Sequence, residues 1–405
     1  IPVLSITFED GDTLKVAVTN GTVEATMERQ VGVVRDGTID NAIIAHEWGH
    51  YIHRRLTSCQ GTVRQCAAQS EGWGDFIAVH MMVRPDDDLT GTYSVAYYST
   101  ISLGDSYFGI RRAPYTRYNP TLNALTFRHV INGVPLPLHP LSPGAPDNAQ
   151  VHNSGEVWAS ILTEGYFDML AAAQGTNPPY TFAEAKRRMA DYIVLGMQLA
   201  PVDTTFTEQL DAILAAAAAT DSGDFLRLSL AYARRGAGTC AVSPPRFSTD
   251  NIGAVEDFSL RGDMQLAGVT LGDTVNSCDS DGNLDGGETG QMSIDVFNPG
   301  IVAISDTTVT LSSPDIRVLF PDGPSATLSS VGSFATEQAR ISVALADNFT
   351  ATEDIPIVIT LNNPDTCTST VVEETIRLVD FDIVPSTVDT VSNPEVSWAE
   401  TFVGA

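Results

Sequence analysis

The sequence predicts two domains of different class, an α+β domain followed by an all-β domain. Three observations support this: 405 residues are enough for two or three domains, apolar residues recur at helical spacing in the first part, and short strand-like runs separated by turn residues fill the second. We place the α+β domain at residues 1–240 and a linker at 241–257. The all-β domain follows at 258–385, and a second linker at 386–405.

The α+β domain is predicted to be β-rich at its start, because residues 1–38 alternate apolar and polar positions, as in Leu14–Val18. Asp40 is a plausible N-cap for a helix that carries apolar residues as far as Ile52. Residues 84–146 are rich in Pro, Gly and Tyr and predict loops. Periodicity predicts five further helices, the last four of them in a mainly helical part that starts near residue 153: Ser70–Val83, Ser154–Ala173, Phe182–Leu199, Phe206–Ala219 and Phe225–Arg235.

The all-β domain shows short runs of Val, Ile, Thr and Ser between Pro, Gly, Asn and Asp turns, a pattern typical of an immunoglobulin-like sandwich. Its predicted strands include Met292–Phe297, Thr307–Leu311, Ala339–Ala344 and Ile355–Leu361.

Charge and hydropathy limit the classes of partner. The 22 basic and 50 acidic side chains give a net charge of 22 − 50 = −28, which repels phosphate backbones and argues against nucleic acid. No apolar run is long enough to cross a bilayer, so we expect no membrane span. Ile1 is neither a Met nor the start of a basic-plus-apolar leader, so we expect a processed chain whose targeting segment has been removed. Separately, we expect a monomer.

The five cysteines include no Cys-x-x-Cys pair of the kind seen in structural zinc sites. Disulfides between Cys59 and Cys66 and between Cys278 and Cys367 would leave Cys240 over. Five buried reduced thiols are the alternative.

The stretch from Ala45 to Arg54 holds three histidines and a glutamate. On a helix, His46 and His50 lie one turn apart on the same face and can share one metal ion. Glu47 lies about a hundred degrees around the helix from His46, where it can reach a water on that ion rather than the ion itself. A chance His-Glu-x-x-His with unrelated histidines is the alternative, so a third ligand is needed.

Spacing decides between two continuations. A metzincin would place a Gly three residues after His50 and a His six residues after it, but the chain has His53 and Leu56 there. A gluzincin takes its third ligand from a following helix. Glu71 and Asp75 lie one turn apart on such a helix, so Glu71 can bind the ion while Asp75 accepts the second N–H of a ligand histidine. His53 fits neither pattern, and we predict that it does not bind the ion.

These residues and several other segments resemble the fungalysin family of thermolysin-like gluzincin peptidases. The similarity runs in the family's order from about residue 30 to about residue 240. The segments that carry it include Arg35–Glu47, Glu71–Phe76, Ile110–Tyr115, Val151–Ala159 and Tyr232–Gly238.

The resemblance implies a thermolysin-like zinc endopeptidase with its zinc helix between two subdomains. It implies that His46, His50 and Glu71 bind zinc, that Glu47 polarises the zinc-bound water and later carries its proton to the leaving amine, and that Asp75 orients His46. The segment Asp147–His152 resembles a stretch in which a histidine donates to the oxyanion and an aspartate orients it, so His152 and Asp147 receive those roles. Candidate substrate-binding residues are Arg111, Arg112 and Tyr115; a structural salt bridge is the alternative for the two arginines.

The all-β domain contains one candidate calcium loop, in which oxygen-bearing side chains alternate with glycines. A polar turn that only connects two strands explains the pattern equally well. The candidate calcium ligands are Asp279, Asp281, Asn283, Asp285 and Glu288.

These features together predict a secreted zinc metalloendopeptidase that hydrolyses protein or peptide substrates and is made as a zymogen with a pro-region. Amide hydrolysis at neutral pH needs an acidified water, a base and an oxyanion donor, and each role has a candidate. The alternative is an extracellular adhesion or scaffold protein whose peptidase-like domain binds zinc but is weakly active.

Overall fold

The computed structural model describes residues 8–26, 33–101, 106–137, 147–277, 284–347, 353–367 and 370–378. The chain divides into two compact units, Ile1–Leu260 and Arg261–Ala405, which we call the first and the second unit. Helices lie in the first and β-sheets in the second, so the mixed α+β class of the chain is confirmed. Among the described residues, no helix combines the length and the apolar character needed to cross a bilayer.

The first unit contains the helices that periodicity predicts, and several begin earlier than expected. The helix that carries Glu71, for example, begins at Arg64 rather than Ser70. The helices are α1 (Phe8–Asn20), α2 (Asn41–Leu56), α3 (Arg64–Met82), α4 (Tyr97–Thr100), α5 (Val151–Ala173), α6 (Phe182–Leu199), α7 (Phe206–Thr220) and α8 (Ser222–Arg234), with short 3-10 turns at Gly37–Ile39 and Phe127–Val130.

Helix α5 lies at the centre of the first unit, because its side chains are buried from Asn153 to Phe167 without interruption. The Trp158 ring on α5 packs edge-on against Trp73 of α3, with centroids 5.5 Å apart. On its other side Trp158 contacts Phe206, the first residue of α7, at 5.9 Å. Burying aromatic side chains of this size contributes much of a core's stability. Helix α3 is therefore anchored to α5 close to Glu71, two residues before Trp73.

The predicted β-rich start is wrong for residues 8–26 and 33–38, which contain helix α1 and irregular chain instead of strands. Helix α1 has Glu9 and Asp10 in its first turn, where carboxylates favour the helix dipole. The alternating residues Leu14, Val16 and Val18 are exposed on it. Alternation predicts a strand only where a neighbouring strand supplies hydrogen bonds, and no described part of the first unit forms a sheet.

The segment 241–257 is not a free linker, because it folds onto the first unit. Val242 and Val255 form an antiparallel bridge within it. The side-chain amide of Gln65 on α3 donates to the carbonyls of Pro244 and Pro245, at 3.1 Å each. Composition alone could not show these long-range bonds. The predicted linker 386–405 lies outside the described residues.

The second unit has two four-stranded antiparallel sheets, in the orders β1-β2-β6-β4 and β5-β3-β7-β8. Apolar residues of both sheets form one buried cluster, including Ile294 of β2, Val309 of β3 and Ile359 of β7. The strands are β1 (Gln265–Asn276), β2 (Thr289–Phe297), β3 (Ile304–Ser312), β4 (Val318–Leu319), β5 (Ser325–Val331), β6 (Thr336–Leu345), β7 (Glu353–Asn362) and β8 (Thr370–Leu378).

One of the predicted disulfides is confirmed, and the prediction of an unpaired Cys240 is wrong. Cys59 and Cys66 form a disulfide, with Cα atoms 5.7 Å apart. Cys240 and Cys367 are each disulfide-bonded, so the prediction that Cys240 is left over is wrong. The alternative of five reduced thiols is wrong as well. Cys278 lies outside the described residues.

Three of the candidate calcium ligands, Asp279, Asp281 and Asn283, also lie outside the described residues. Asp285 and Glu288 are buried, and the Glu288 carboxylate accepts the backbone N–H of Asp285 at 3.0 Å. The calcium site therefore stays a prediction.

Candidate metal centre

Helix α2 holds two histidines of the site one turn apart. It begins at the predicted N-cap, where Oδ1 of Asp40 accepts the backbone N–H of Ala42 at 2.9 Å. The rings of His46 and His50 lie with centroids 4.7 Å apart and nearly perpendicular to each other. His46 is buried and His50 is half-buried.

Glycines allow α2, α3 and α5 to approach closely enough for the third residue to join. A Cβ on Gly49 of α2 would lie 2.6 Å from Cα of Gly74 on α3. A Cβ on Gly72 of α3 would lie 2.5 Å from the carbonyl oxygen of Gly155 on α5. These are backbone atoms that cannot rotate aside. Because the helices are in backbone contact on both sides of α3, Glu71 is held against the two histidines.

His46, His50 and Glu71, which we call the donor group, present converging donor atoms. Nε2 of His46 lies 3.5 Å from Oε2 of Glu71, and Nε2 of His50 lies 3.7 Å from Oε1. Donors about 2 Å from one ion at tetrahedral angles lie roughly 3.3 Å apart. Oε2 of Glu71 is also buried without a hydrogen-bond partner, a costly arrangement that a bound cation would relieve. The residues therefore fit a zinc ion, and no other such group is found among the described residues.

The second nitrogen of each histidine is held from α3. Nδ1 of His46 lies 2.8 Å from Oδ1 of Asp75, and Nδ1 of His50 lies 2.8 Å from Oγ of Ser70. Such contacts leave Nε2 of each ring facing Glu71. Ser70 was not predicted, since a serine beside Glu71 carries no signal until the packing of α2 on α3 is known.

Asp75 is fully buried and has three more contacts besides His46. Arg111 donates to it twice, from Nε to Oδ2 at 2.5 Å and from Nη2 to Oδ1 at 2.8 Å, and the Tyr115 hydroxyl also donates to it. Burial alone would raise the pKa of Asp75, but the Arg111 charge and the His46 bond lower it below its usual range. Burial would lower the pKa of His46, but the hydrogen bond to Asp75 and the nearby Glu71 carboxylate raise it to about 9.

The candidate substrate-binding residues Arg111, Arg112 and Tyr115 are all buried. Arg112 donates from Nε to the buried carboxylate of Glu156 at 2.6 Å and from Nη1 to Asn148 at 3.0 Å. Arg111 is the one of the three that reaches the donor group, with Nη2 3.7 Å from Oε2 of Glu71. The contacts of Arg112 and Tyr115 fix the 110–115 segment, and substrate contact stays a prediction for all three.

His152 also lies at the donor group, but Asp147 does not contact it. Nε2 of His152 is 3.3 Å from Oε2 of Glu71, and half of the side chain is exposed. Its Nδ1 faces the side-chain nitrogen of Gln150 at 2.6 Å. Oδ1 of Asp147 accepts the backbone N–H of Ala149 instead, at 2.9 Å. Among the described residues no hydrogen bond or ion pair joins Asp147 to His152, and the orienting role of Asp147 stays a prediction.

Glu47 is exposed on α2 and lines an open cleft of about 1550 Å³. The same cleft is lined by Trp48 and Tyr51 of α2, by Met81 of α3 and by Tyr97 of α4. Glu47 does not belong to the group of potential ion ligands. Glu47 directly follows His46 on α2 and is exposed, whereas His46, His50 and Glu71 are not among the residues that line this cleft. An exposed carboxylate outside the ligand set can exchange protons with molecules in the cleft.

His53 is buried on the same helix, and both of its ring nitrogens lack a hydrogen-bond partner. Burial lowers its pKa to about 4, so the ring is neutral at physiological pH. The donor group does not include it.

Comparisons with known proteins agree with this geometry. Residues 19–241 match the family described as fungalysin metallopeptidase (M36). The extracellular metalloproteinase mep of Aspergillus terreus is 27% identical over 220 residues, which are 51% of this chain and 32% of that protein. The enzyme of the same name from Aspergillus fumigatus is 30% identical over 237 residues, 55% of this chain and 33% of that protein. Extracellular metalloproteinase 3 of Arthroderma otae is 28% identical over 228 residues, 53% and 33% of the two chains.

The chain spans about a third of the length of the curated relatives it matches. The family match itself extends over more than half of the 405 residues and contains every residue of the donor group. The chain therefore belongs to the fungalysin metallopeptidase family, M36.

Proposed function

We propose that the chain is a secreted zinc endopeptidase that hydrolyses peptide bonds. One observation carries the proposal: the donor atoms of His46, His50 and Glu71 converge, and the residue after His46 on α2 is an exposed glutamate, Glu47, that lines an open cleft. Membership of a metallopeptidase family supports it.

The zinc ligands would be Nε2 of His46, Nε2 of His50 and the carboxylate of Glu71. A zinc ion held there supplies Lewis-acid chemistry, polarising the scissile carbonyl and acidifying a water molecule. Asp75 and Ser70 hold the imidazoles of His46 and His50 in position through hydrogen bonds at Nδ1. The Arg111 charge keeps Asp75 ionised, so that Asp75 can accept a hydrogen bond from the Nδ1–H group of His46.

Glu47 acts as the general base and then as the general acid. It accepts a proton from the attacking water and delivers it to the leaving amine as the C–N bond breaks. Its exposure on α2 suits both steps, because a substrate in the cleft that Glu47 lines can reach the carboxylate.

His152 supplies a hydrogen bond to the substrate. As the water attacks, the carbonyl oxygen gains negative charge, and a donor placed at that position lowers the barrier. Nε2 of His152 lies close to Glu71 on a half-exposed side chain, which favours this role.

The test combines metal content with cleavage by the purified chain. We expect a casein or fluorogenic peptide substrate to be cleaved, a chelator to stop the cleavage, and added zinc to restore it. Glu47→Gln should retain zinc and lose cleavage by at least about 100-fold, the usual contribution of a general base. Glu24→Gln, which removes an exposed glutamate on the irregular chain after α1, is the matched control and should cleave as the wild type does. A zinc-loaded wild type that cleaves nothing would instead support the zinc-binding scaffold.

Secretion is proposed on two grounds. The relatives are named extracellular metalloproteinases. The disulfide between Cys59 and Cys66 suits an oxidising compartment. A pro-region in the precursor and a monomeric state belong to the same proposal, which size-exclusion chromatography and the N-terminal sequence of the secreted protein would test.

For the second unit we propose an immunoglobulin-like sandwich. The split of eight antiparallel strands into two sheets over one apolar cluster favours it. Calcium binding by this unit is a separate proposal, testable by titration of the whole chain with calcium and with magnesium as the control.

A further inference from the structure

Gln150 is placed to fix the proton of His152. It is the N-cap of α5, and its side-chain Oε1 accepts two backbone N–H groups, that of His152 at 2.8 Å and that of Asn153 at 3.1 Å. Backbone N–H groups only donate, so the oxygen of the amide must be the atom that faces them. The orientation of the Gln150 amide is thereby determined by its own contacts.

With the oxygen so placed, the amide nitrogen of Gln150 faces the imidazole. Nε2 of Gln150 and Nδ1 of His152 are 2.6 Å apart. An amide nitrogen only donates, so Nδ1 must accept. A neutral imidazole that accepts at Nδ1 carries its proton at Nε2. That is the nitrogen that lies 3.3 Å from Glu71, at the donor group.

We propose that Gln150 is a positioning residue that holds His152 in the tautomer with the proton on Nε2, so that a hydrogen-bond donor faces the substrate carbonyl. This rests on the proposed peptidase function. It assigns to Gln150 the orienting role that the family resemblance implies for Asp147. The carboxylate of Asp147 instead accepts the backbone N–H of Ala149. The His152 side chain is half exposed, so without Gln150 water could hydrogen-bond to either nitrogen, and the ring would be free to rotate and to change tautomer.

Two substitutions separate this role from capping. Ser and a carboxylate both accept backbone N–H groups at an N-cap, so Gln150→Ser and Gln150→Glu should keep helix α5 capped. Ser is too short to reach Nδ1. A carboxylate reaches it but can only accept, so Gln150→Glu should place a proton on Nδ1. Asp147→Asn, which retains the oxygen that accepts from Ala149, is the matched control.

The measurement is the NMR chemical shifts of the two ring nitrogens of His152, in protein whose histidines carry a nitrogen-15 label. The His152 signals are assigned by their loss in His152→Gln, and the spectra are recorded with and without added zinc. We expect Nε2 protonated and Nδ1 unprotonated in the wild type and in Asp147→Asn, mixed tautomers in Gln150→Ser, and a protonated Nδ1 in Gln150→Glu. Thermal unfolding of each variant should stay close to that of the wild type. In cleavage assays Gln150→Ser should lower kcat by up to about tenfold with little change in KM, the loss expected for one hydrogen bond.

A proton on Nδ1 of the wild type, or a His152 pattern that Gln150→Glu leaves unchanged, would overturn the proposal. A change caused by Asp147→Asn but not by either Gln150 variant would give the orienting role to Asp147. Because the NMR pattern is read without turnover, the absence of cleavage would contradict the proposed function while leaving the tautomer assignment standing.

Discussion

The carboxylate of Asp75 contacts His46 on the side of the ring opposite Glu71, with Oδ1 2.8 Å from Nδ1. The same carboxylate is clamped by Arg111 and is completely buried. A buried, ion-paired acceptor cannot turn away from the ring, so His46 is fixed in one orientation with Nε2 directed at Glu71. The arrangement of the donor group therefore depends on Asp75 and Arg111, which do not themselves belong to it.

Replacing Asp75 tests this dependence. Asp75→Asn should weaken zinc binding by about 10- to 100-fold, because the imidazole loses its charged partner. It should also lower the free energy of unfolding by about 3 kcal/mol, because the buried Arg111 loses its hydrogen-bonded carboxylate and keeps only the longer contact with Glu71, at 3.7 Å. Zinc affinity is measured by competition with a chelator, and stability by urea unfolding. Asp191→Asn, which breaks the exposed pair with Arg187, is the control and should change neither. Wild-type zinc affinity in Asp75→Asn would show that the contact has no part in binding.

Close approach of α2 to α3 is a second requirement. In Gly49→Ala the new Cβ would meet backbone atoms of Gly74 and Trp73 at 2.6 and 2.9 Å. We expect a loss of about 1–3 kcal/mol in the free energy of unfolding, as for overpacked cores, together with weaker zinc binding. Gly61→Ala is the control, because nothing lies within 4 Å of its Cβ. Equal stability and zinc affinity in the two variants would mean that the helices can separate without cost.

His53 should govern part of the acid sensitivity. Its pKa is about 4 in the folded chain against an ordinary value of 6.5, so the unfolded chain binds the extra proton first. The stability that neutral His53 contributes is present above pH 6.5 and is lost as the pH falls from 6.5 to 4. The full loss is about 3–4 kcal/mol, from roughly 1.4 kcal/mol per pKa unit.

The measurement is urea unfolding between pH 4 and 7 for wild type and His53→Leu, both with a chelator so that zinc ligands do not contribute to the difference. The difference in the free energy of unfolding should shift in favour of His53→Leu as the pH falls. A constant difference over that range would show that His53 is not titrating as described. Zinc content measured without the chelator should be the same in both.

How far the sequence predicts this protein depends on whether the relevant pattern is local. Residues Phe182 to Leu199 form a helix with the predicted ends, because apolar spacing and a Thr181 cap are both local signals. The donor group was predicted for the same reason, since His46 and His50 are one turn apart and Glu71 opens a recognisable motif.

Features that depend on packing between distant segments were missed. The strands expected before α2 are absent from the described residues there, since alternation does not supply a partner strand. The segment 241–257 looked like a linker because its bonds to Gln65 join residues far apart in sequence. Ser70 and Gln150 gave no signal, since each contacts a histidine only after two helices or a turn have formed.

The most direct test of the central claim is the zinc content of the purified chain, measured by mass spectrometry after dialysis against a metal-free buffer. The account predicts one zinc per chain in the wild type, in Glu47→Gln and in His53→Leu, and none in Glu71→Ala. Circular dichroism should show the same helix content in Glu71→Ala as in the wild type. A wild type without zinc, or a folded Glu71→Ala that retains it, would contradict the assignment of His46, His50 and Glu71 as the metal site.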